Sequence, residues 1–342
     1  MDAAFIKGVS MIGNIIMKVL VTGGAGYIGS HVVKQLGEAG HDIVVYDNLS
    51  TGYEWAVTYG ELVVGDIEDI DKLDAVFAKH KFEAVLHFAA HIVVPESVEN
   101  PLKYYRNNTR NTLSLLGLIE KYQTPYMVFS STAAVYGMPD EKILTEDMPL
   151  QPINPYGASK MMSEQMIRDL SFASNLKHVI LRYFNVAGAD LSSRLGQATP
   201  EATHLIKVAC ECVTGARKGM MVFGTDYETR DGTCIRDYIH VDDLAKAHVM
   251  ALDYMAKGGE SQILNCGYGR GFTVTEVIES VKEKSGQDFP VELVGRRAGD
   301  PDALMADNTK IKSVLGWSPD YDDLGVIVQS ALDWEAKWQK QK

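Results

Sequence analysis

Short runs of β-branched and other apolar residues alternate with longer segments of helical period through the first half of the chain. This alternation is typical of βαβ units, in which crossover helices join parallel strands. It predicts strands at residues 18–22, 42–47, 61–65, 84–88, 126–131 and 178–183. It predicts helices at residues 28–38, 70–79, 102–121 and 156–173. The pattern therefore indicates an α/β fold with a doubly wound parallel sheet.

The pattern becomes irregular and richer in turns after Gly188. Asp242 and Asp243 are expected to cap a helix that runs to about residue 255. Residues 263–266 have the composition of one more buried strand. We therefore expect this later part of the chain to return to the first domain.

Two further helices complete the predicted organisation. A capping box at Thr273–Glu276 opens one helix, and an amphipathic segment over residues 322–338 forms the last. The sequence thus predicts an N-terminal extension (1–16), a first domain (17–188, with 237–270 returning to it) and a smaller α/β domain mainly over 189–342.

Composition excludes several classes of protein. The 342 residues are 46% hydrophobic, enough for about two domains, and the net charge of -12 disfavours nucleic-acid or anionic-membrane binding. The four cysteines form no C-x-x-C pair and the histidines no H-E-x-x-H, so neither a disulfide framework nor a metal site is predicted. We find no uninterrupted apolar run long enough to cross a membrane and no signal peptide, and expect a cytoplasmic protein that begins in effect at Met17.

A glycine-rich turn follows the first predicted strand directly. Gly23, Gly24, Gly26 and Gly29 fit both G-x-G-x-x-G and G-x-x-G-x-x-G, and the absence of Cβ atoms allows a pyrophosphate to approach the backbone at the start of the next helix. Asp47 ends the second strand, where a carboxylate can bind ribose hydroxyls and would repel a 2′-phosphate. The turn by itself could be an ordinary loop, but its context predicts NAD binding rather than NADP binding.

Tyr156 and Lys160 lie one helical turn apart on the predicted helix over 156–173, for which Asn154 and Pro155 supply a start signal. Such a pair is more often a solvated helix surface, but this helix follows the fifth strand, whose end carries Ser130 and Thr132. Ligands of open α/β sheets bind at that edge. Nearby positive charge is expected to lower the pKa of the phenol, which makes Tyr156 a candidate general base.

Together, the glycine turn, the strand-end hydroxyl and the Tyr-x-x-x-Lys pair resemble the extended short-chain dehydrogenase/reductase family, which has a Rossmann fold. Over residues 17–338, further motifs are similar, in order and spacing, to those of the UDP-glucose 4-epimerase family. These motifs are His-Phe-Ala-Ala (87–90), Ser-Ser-Thr-Ala-Ala-Val-Tyr-Gly (130–137), Arg-Tyr-Phe-Asn (182–185), Arg-Asp-Tyr-Ile-His-Val (236–241) and Arg-Arg-Ala-Gly-Asp (296–300).

The resemblance implies a reaction and a catalytic set of Thr132, Tyr156 and Lys160. Tyr156 would take the proton of the sugar 4-hydroxyl while a hydride passes from C4 to NAD, and Lys160 would hold the nicotinamide ribose and support the phenolate. Thr132 would bond the reacting oxygen. The 4-keto sugar would turn and take the hydride back on its other face, which interconverts UDP-glucose and UDP-galactose.

The resemblance also implies binding residues and a homodimer through the helices around 102–121 and 156–173. Contacts to NAD are implied for Gly23, Gly26, Tyr27, Ile28, Gly29, Asp47, Asn48, Asp66, Ile67, Phe88, Ala89, Asn108, Ser130, Tyr156, Lys160 and Tyr183. Contacts to the UDP-sugar are implied for Thr132, Tyr156, Asn185, His204, Leu205, Phe223, Arg236, Arg297 and Asp300. Arginine suits this role because its guanidinium group binds diphosphate oxygens in pairs.

Some positions leave alternatives open. Ile92 stands where many members carry a Lys near the nicotinamide, and Leu304 is intermediate in size at the position that sets pocket breadth. A 4-epimerase of an N-acetylhexosamine, pentose or uronic acid is therefore an alternative. A 4,6-dehydratase is disfavoured because Ala133 and Ala134, which follow Thr132, cannot transfer a proton. A non-catalytic NAD-sensing protein is opposed by the intact catalytic set.

Overall fold

The computed structural model describes residues 15–297 and 299–341, so most of the predicted 1–16 extension lies outside the described residues. The strands are β1 (Lys18–Thr22), β2 (Asp42–Asp47), β3 (Glu61–Val64), β4 (Ala84–His87), β5 (Tyr126–Thr132), β6 (Ile143–Leu144), β7 (Lys177–Tyr183), β8 (Asn185–Ala187), β9 (Met220–Phe223), β10 (Ile235–His240), β11 (Gln262–Cys266), β12 (Gly271–Thr273), β13 (Val291–Val294) and β14 (Ala303–Ala306). The α-helices are α1 (Tyr27–Glu38), α2 (Ile70–His80), α3 (Val94–Glu99), α4 (Pro101–Tyr104), α5 (Asn111–Tyr122), α6 (Pro155–Ala173), α7 (Leu205–Val213), α8 (Val241–Ala256), α9 (Val274–Ser285), α10 (Thr309–Leu315) and α11 (Leu324–Gln339).

The largest sheet has seven strands in the order β11-β7-β5-β4-β1-β2-β3. All of its neighbouring strands are parallel. Val19 and Val21 of β1 belong to the core shared with α1 and α8, whereas Leu20 belongs to the core shared with α2, α5 and α6. Alternate side chains of a strand point to opposite faces, so both faces are covered by helices. The predicted doubly wound α/β fold is confirmed.

The predicted helix over 102–121 is not a single regular helix. Between α4 and α5, residues Tyr105–Arg110 form a π-helical segment. The side chain of Asn108, 2% exposed, donates to the His91 carbonyl at 2.9 Å and to Ser159 Oγ at 3.0 Å, and it accepts from the His91 N–H at 2.9 Å. A buried side chain bonded across to neighbouring segments accompanies a widened helical turn, a feature that periodicity does not reveal.

The structure confirms one predicted helix cap and the returning strand, and it contradicts a second predicted cap. The Thr273–Glu276 capping box is present, and β11 pairs with β7 at the edge of the large sheet. The expected cap of α8 by Asp242 and Asp243 is wrong: His240 Nδ1 accepts from the Asp242 N–H at 3.1 Å, while Asp242 itself bonds His31. The division into two domains stays a prediction.

A second sheet lies beyond the carboxyl edge of the first. It has the order β12-β10-β14-β6, and β8 pairs with β10. Only Phe184 separates the end of β7 from the start of β8. The second sheet therefore begins beside the edge that carries Thr132 and Tyr183, which are paired in register. Strands β9 and β13 form a separate parallel pair.

No helix among the described residues is long and apolar enough to cross a membrane.

Asp237 holds this second sheet to the loop after β11. Its carboxylate is fully buried and accepts the N–H groups of Tyr268 and Gly269 at 2.9 Å and of Ala306 at 3.1 Å. Burial raises the pKa of the Asp237 carboxyl to about 6, although the three bonds act in the opposite direction.

We expect Asp237→Asn to lower the free energy of unfolding by about 2 kcal/mol, because the amide nitrogen faces an N–H donor and leaves it without an acceptor. Urea unfolding measures the change. Asp140→Asn, at an exposed position, is the control and should change the free energy by less than about 0.5 kcal/mol. Equal effects of the two substitutions would contradict the assignment.

Candidate active site

The turn between β1 and α1 requires glycine at two positions and is open at a third. Gly23 has φ +73°, and a Cβ atom there would lie 2.5 Å from the Ala89 nitrogen. A Cβ atom at Gly29 would overlap the Gly23 carbonyl oxygen. At Gly26 a Cβ atom would meet only that same oxygen, at 3.3 Å. The turn therefore packs tightly against neighbouring backbone at Gly23 and Gly29. Space remains at the N-terminus of α1, where free amides favour an anion.

Asp47 lies at the carboxyl end of β2 beside this turn. Its Oδ2 accepts from the Ala25 N–H at 2.9 Å and its Oδ1 from the Leu49 N–H at 2.8 Å. Burial raises the pKa of the carboxyl despite these bonds. Each oxygen keeps a second lone pair for a ribose hydroxyl. Next to it, Asn48 Nδ2 donates to Asp66 Oδ2 at 2.8 Å. These groups fit the adenosine half of a dinucleotide without a 2′-phosphate.

Helix α6 positions Tyr156 and Lys160 as its spacing predicts. The Asn154 side chain caps the helix by accepting from the Gly157 N–H at 2.9 Å. Tyr156 is 8% exposed and Lys160 is 3% exposed. Lys160 Nζ donates to the Ser130 carbonyl at 2.8 Å. The pair is therefore buried at the carboxyl end of β5 and is not a solvated helix surface.

The electrostatics of this pair differ from the sequence expectation. Burial raises the pKa of Tyr156, and a hydrogen bond with Thr132 opposes the rise. Burial lowers the pKa of Lys160 to about 7. The expectation that nearby positive charge lowers the phenol's pKa is thus wrong for the protein alone, because desolvation dominates. A cation placed beside Tyr156 would favour the phenolate.

The remaining hydroxyls of the predicted set converge on the same edge. Ser130 Oγ and Tyr183 Oη are 2.5 Å apart. Burial raises the pKa of Tyr183, so it is a neutral phenol. Ser130, Thr132, Tyr156, Lys160 and Tyr183 therefore gather where β5 and β7 end, which is the edge at which parallel sheets bind ligands.

Other predicted cofactor residues surround the turn or support it. Tyr27 donates its hydroxyl to the Gly188 carbonyl at 2.7 Å, and Ile28 follows it in the first turn of α1. Phe88 packs against His248 with ring centres 4.8 Å apart. Asn108 bonds the His91 backbone near the site, and its implied contact with NAD stays a prediction. Ile67 is buried, and Ala89 bonds the end of β1 through its N–H.

On the other side, Asn185, His204 and Leu205 line one pocket. Gln197 Nε2 lies 2.9 Å from His204 Nδ1, and burial lowers the pKa of the imidazole. Since the amide nitrogen can only donate, the neutral ring carries its proton on Nε2. His204 can therefore donate one hydrogen bond to a ligand.

The two arginines predicted to bind the diphosphate each contact another predicted substrate residue. The Arg297 guanidinium lies over the Phe223 ring, 3.6 Å from its centre. Arg236 Nη1 donates to the Pro301 carbonyl at 2.9 Å, and its Nη2 lies 3.5 Å from Asp300. Leu304 is the register partner of Arg236 and packs against the cluster that follows Thr132. Leu304 therefore adjoins both Arg236 and the residues that follow Thr132.

One buried pair was missed by the sequence analysis. Glu164, one turn beyond Lys160, forms an ion pair with Arg182 of β7. The available signal was the four-residue spacing from Lys160 to Glu164 on a helix already predicted to be catalytic. Ile92, where this chain departs from the family pattern, is 46% exposed.

Comparisons with known proteins agree with this geometry. The model of the NAD dependent epimerase/dehydratase family matches residues 19–267. The chain is 56% identical over 319 residues to a UDP-glucose 4-epimerase of Azospirillum brasilense, which covers 93% of this chain and 92% of that protein. The structure of UDP-glucose 4-epimerase from Brucella ovis in complex with NAD has a TM-score of 0.90 and 46% identity, over 92% of this chain and 97% of that one. The UDP-Glc/GlcNAc 4-epimerase of Campylobacter jejuni has a TM-score of 0.83 and 52% identity, over 94% and 99%.

Proposed function

The chain belongs to the NAD dependent epimerase/dehydratase family, and we propose that it interconverts UDP-glucose and UDP-galactose at C4. It is an enzyme that uses NAD for the 4-epimerisation of a UDP-sugar, as its identity to UDP-glucose 4-epimerases over nearly the whole chain supports. The observation that carries the proposal is the burial of Tyr156 and Lys160 beside Thr132, at the edge reached by the glycine turn.

Bound NAD would supply a reversible acceptor for the hydride of the sugar C4, which carries two electrons. The residues of this chain do the rest. Tyr156 accepts the proton of the sugar 4-hydroxyl and later returns it, and Thr132 orients the reacting oxygen. The Lys160 ammonium, anchored to the Ser130 carbonyl, stabilises the phenolate and holds the nicotinamide ribose. Burial excludes water from the oxidised sugar.

We assign the second half of the chain to the substrate. Arg236 and Arg297 bind the diphosphate, and stacking of Arg297 on Phe223 orients its guanidinium plane. Asp300 binds the uridine ribose, and Asn185, His204 and Leu205 contact the nucleotide-sugar. Residues 17–188 with 237–270 then form the NAD-binding domain, and 189–342 form mainly the sugar-binding domain.

The experiment that tests the function is incubation of the purified protein with UDP-galactose, UDP-N-acetylgalactosamine and UDP-arabinose. The products are identified by NMR. We expect inversion at C4 without loss of water and the highest rate with UDP-galactose. A 4-keto-6-deoxy product would show a dehydratase instead. Faster turnover of the N-acetylated sugar would show that Leu304 admits the larger group.

The structure disfavours elimination for a specific reason. Thr132 is followed by a short 3-10 helix, Ala133–Tyr136, whose first two side chains are methyl groups. Neither Ala133 nor Ala134 can act as the second acid or base that a dehydratase needs beyond the sugar's C4. The 4-epimerase reaction needs only the one proton acceptor that Tyr156 provides.

We propose a homodimer formed by the helices around residues 102–121 and 156–173. Apolar side chains are exposed along them at Leu102 (60%), Leu113 (57%) and Met162 (41%), and on the adjoining helix α3 at Val98 (62%). Exposed apolar surface of this kind favours association with a second copy. We also propose a cytoplasmic location, which the four free cysteines support.

We expect Leu113→Arg to convert the dimer to a monomer, because a charged side chain would be buried without a partner. Sedimentation velocity measures the mass. Leu293→Arg is the matched control, since Leu293 is 66% exposed on β13, away from these helices, and it should leave the dimer intact. Dimers in both variants would contradict this interface.

A further inference from the structure

A buried ion pair lies directly behind Lys160. Glu164 is one helical turn beyond Lys160 on α6, and Arg182 is on β7. Both side chains are 2% exposed. Arg182 Nε donates to Glu164 Oε1 at 3.1 Å, and Arg182 Nη2 donates to Oε2 at 2.6 Å. This two-point contact joins the catalytic helix to the sheet.

The same carboxylate is bonded to the strand that carries the catalytic hydroxyl. Ser131 Oγ donates to Glu164 Oε1. Ser131 stands between Ser130, whose carbonyl holds Lys160, and Thr132, which bonds Tyr156. Three consecutive residues of β5 thus attach to three positions on one face of α6. A shift of Glu164 would move Lys160 and Tyr156 relative to that strand.

Arg182 is itself fixed on its far side. Its Nη1 donates to Tyr136 Oη at 3.0 Å and to the Glu146 carbonyl at 3.3 Å. Tyr136 Oη donates to Asn265 Oδ1 at 2.7 Å. The guanidinium group therefore has little freedom. A buried ion pair often adds nothing to the stability of the fold compared with apolar residues. The many hydrogen bonds to Arg182 therefore point to a role in the site and not in stability.

We infer that Glu164 and Arg182 are positioning residues, which fix Lys160 and Tyr156 against the end of β5 and balance the charge around the Lys160 ammonium. This inference rests on the proposed function of the site. Both side chains are buried and paired with each other, so we assign their effect to Lys160 and Tyr156.

The charges around Lys160 predict the direction in which each substitution shifts the pH profile of the enzyme. Glu164 raises the pKa of Lys160 against the effect of burial. The groups from neighbouring elements are neutral: His87 on β4 has a pKa of about 3, and burial raises the pKa values of Tyr156 and Tyr183. Arg182 therefore balances Glu164. Removing one partner leaves a net charge near Lys160, and the sign depends on which partner is removed.

The test is the pH dependence of kcat/KM in Glu164→Gln, Arg182→Gln and the double variant. The uncompensated arginine in Glu164→Gln disfavours the ammonium and favours the phenolate, so the profile should move down by about one pH unit. The uncompensated glutamate in Arg182→Gln should move it up by about as much. The double variant should return towards the wild-type position, with kcat reduced about tenfold and KM changed little.

Two further variants separate position from charge. Glu164→Asp and Arg182→Lys keep both charges but lose the two-point contact, so kcat should fall without a shift of the profile. They also carry the test if a single neutral variant fails to fold. Glu61→Gln removes the partner of Lys79 in an exposed pair and is the matched control, expected to change neither quantity.

The outcomes distinguish this inference from the proposed function. Wild-type protein that binds NAD but does not epimerise a UDP-sugar would refute the function. If the wild type is an active epimerase, two outcomes would overturn the positioning role alone. One is a shift of the pH profile in the same direction in Glu164→Gln and Arg182→Gln. The other is an unshifted profile with unchanged kcat in all four single variants. Opposite shifts that cancel in the double variant would establish it.

Discussion

Tyr156→Phe is expected to lower turnover about 10³-fold while the fold and bound NAD are retained. The substitution removes only the hydroxyl that accepts the proton. Tyr156 is buried and its ring packs edge-on against Tyr104, with ring centres 6.5 Å apart, so phenylalanine keeps this packing. Steady-state rates with UDP-galactose measure the loss, and the absorbance of the purified protein reports its NAD content.

Tyr122→Phe is the matched control for this result. Tyr122 also loses a hydroxyl that bonds within the protein, at 3.4 Å from the Asp74 carbonyl, but it lies on α5 away from the strand ends. It should keep wild-type turnover. Near-normal turnover in Tyr156→Phe would reject its role as the base, and loss of NAD would show a structural role instead.

Gly26→Ala and Gly29→Ala are expected to fail in different ways. A methyl group at Gly26 makes one tight contact with the protein, 3.3 Å from the Gly23 carbonyl oxygen, and otherwise occupies the space at the N-terminus of α1. The fold should persist, and NAD affinity should fall about tenfold or more. A methyl group at Gly29 overlaps the Gly23 carbonyl, which belongs to the backbone and cannot move aside. The free energy of unfolding should fall by about 3 kcal/mol.

Each glycine variant is the control for the other. Thermal unfolding and the NAD content of the purified protein are measured on both. If Gly26→Ala retained NAD with wild-type affinity, the turn would not hold the pyrophosphate. If Gly29→Ala were as stable as the wild type, the close approach of α1 to the turn would not be a constraint on this fold.

Together these predictions divide the site into two functions. We predict that the glycine turn and Asp47, which come from β1, α1 and β2, hold the dinucleotide. We predict that Tyr156 transfers the proton with the support of Lys160 and Thr132, and these residues come from α6 and β5. The site is therefore assembled at the edge where both sets of strands end, and each half is open to independent substitution.

The sequence alone predicted the parallel sheet, the glycine turn and the Tyr156–Lys160 pair, and the structure confirms these placements. Each is specified by nearby residues: strand and helix periodicity, the need for glycine at Gly23, and a spacing of one helical turn. Family resemblance implied the substrate residues, which stay a prediction, and the structure pairs Phe223 with Arg297 and Arg236 with Asp300.

Only the tertiary structure decided the features that join distant segments. The π-helical turn at Asn108 depends on bonds to His91 and Ser159, and the support of Lys160 depends on Arg182, 22 positions further along the chain. The direction of the pKa shifts of Tyr156 and Lys160 follows from burial, to which many packed residues contribute. Local patterns specify local geometry, whereas contacts and desolvation arise only when the folded chain brings remote residues together.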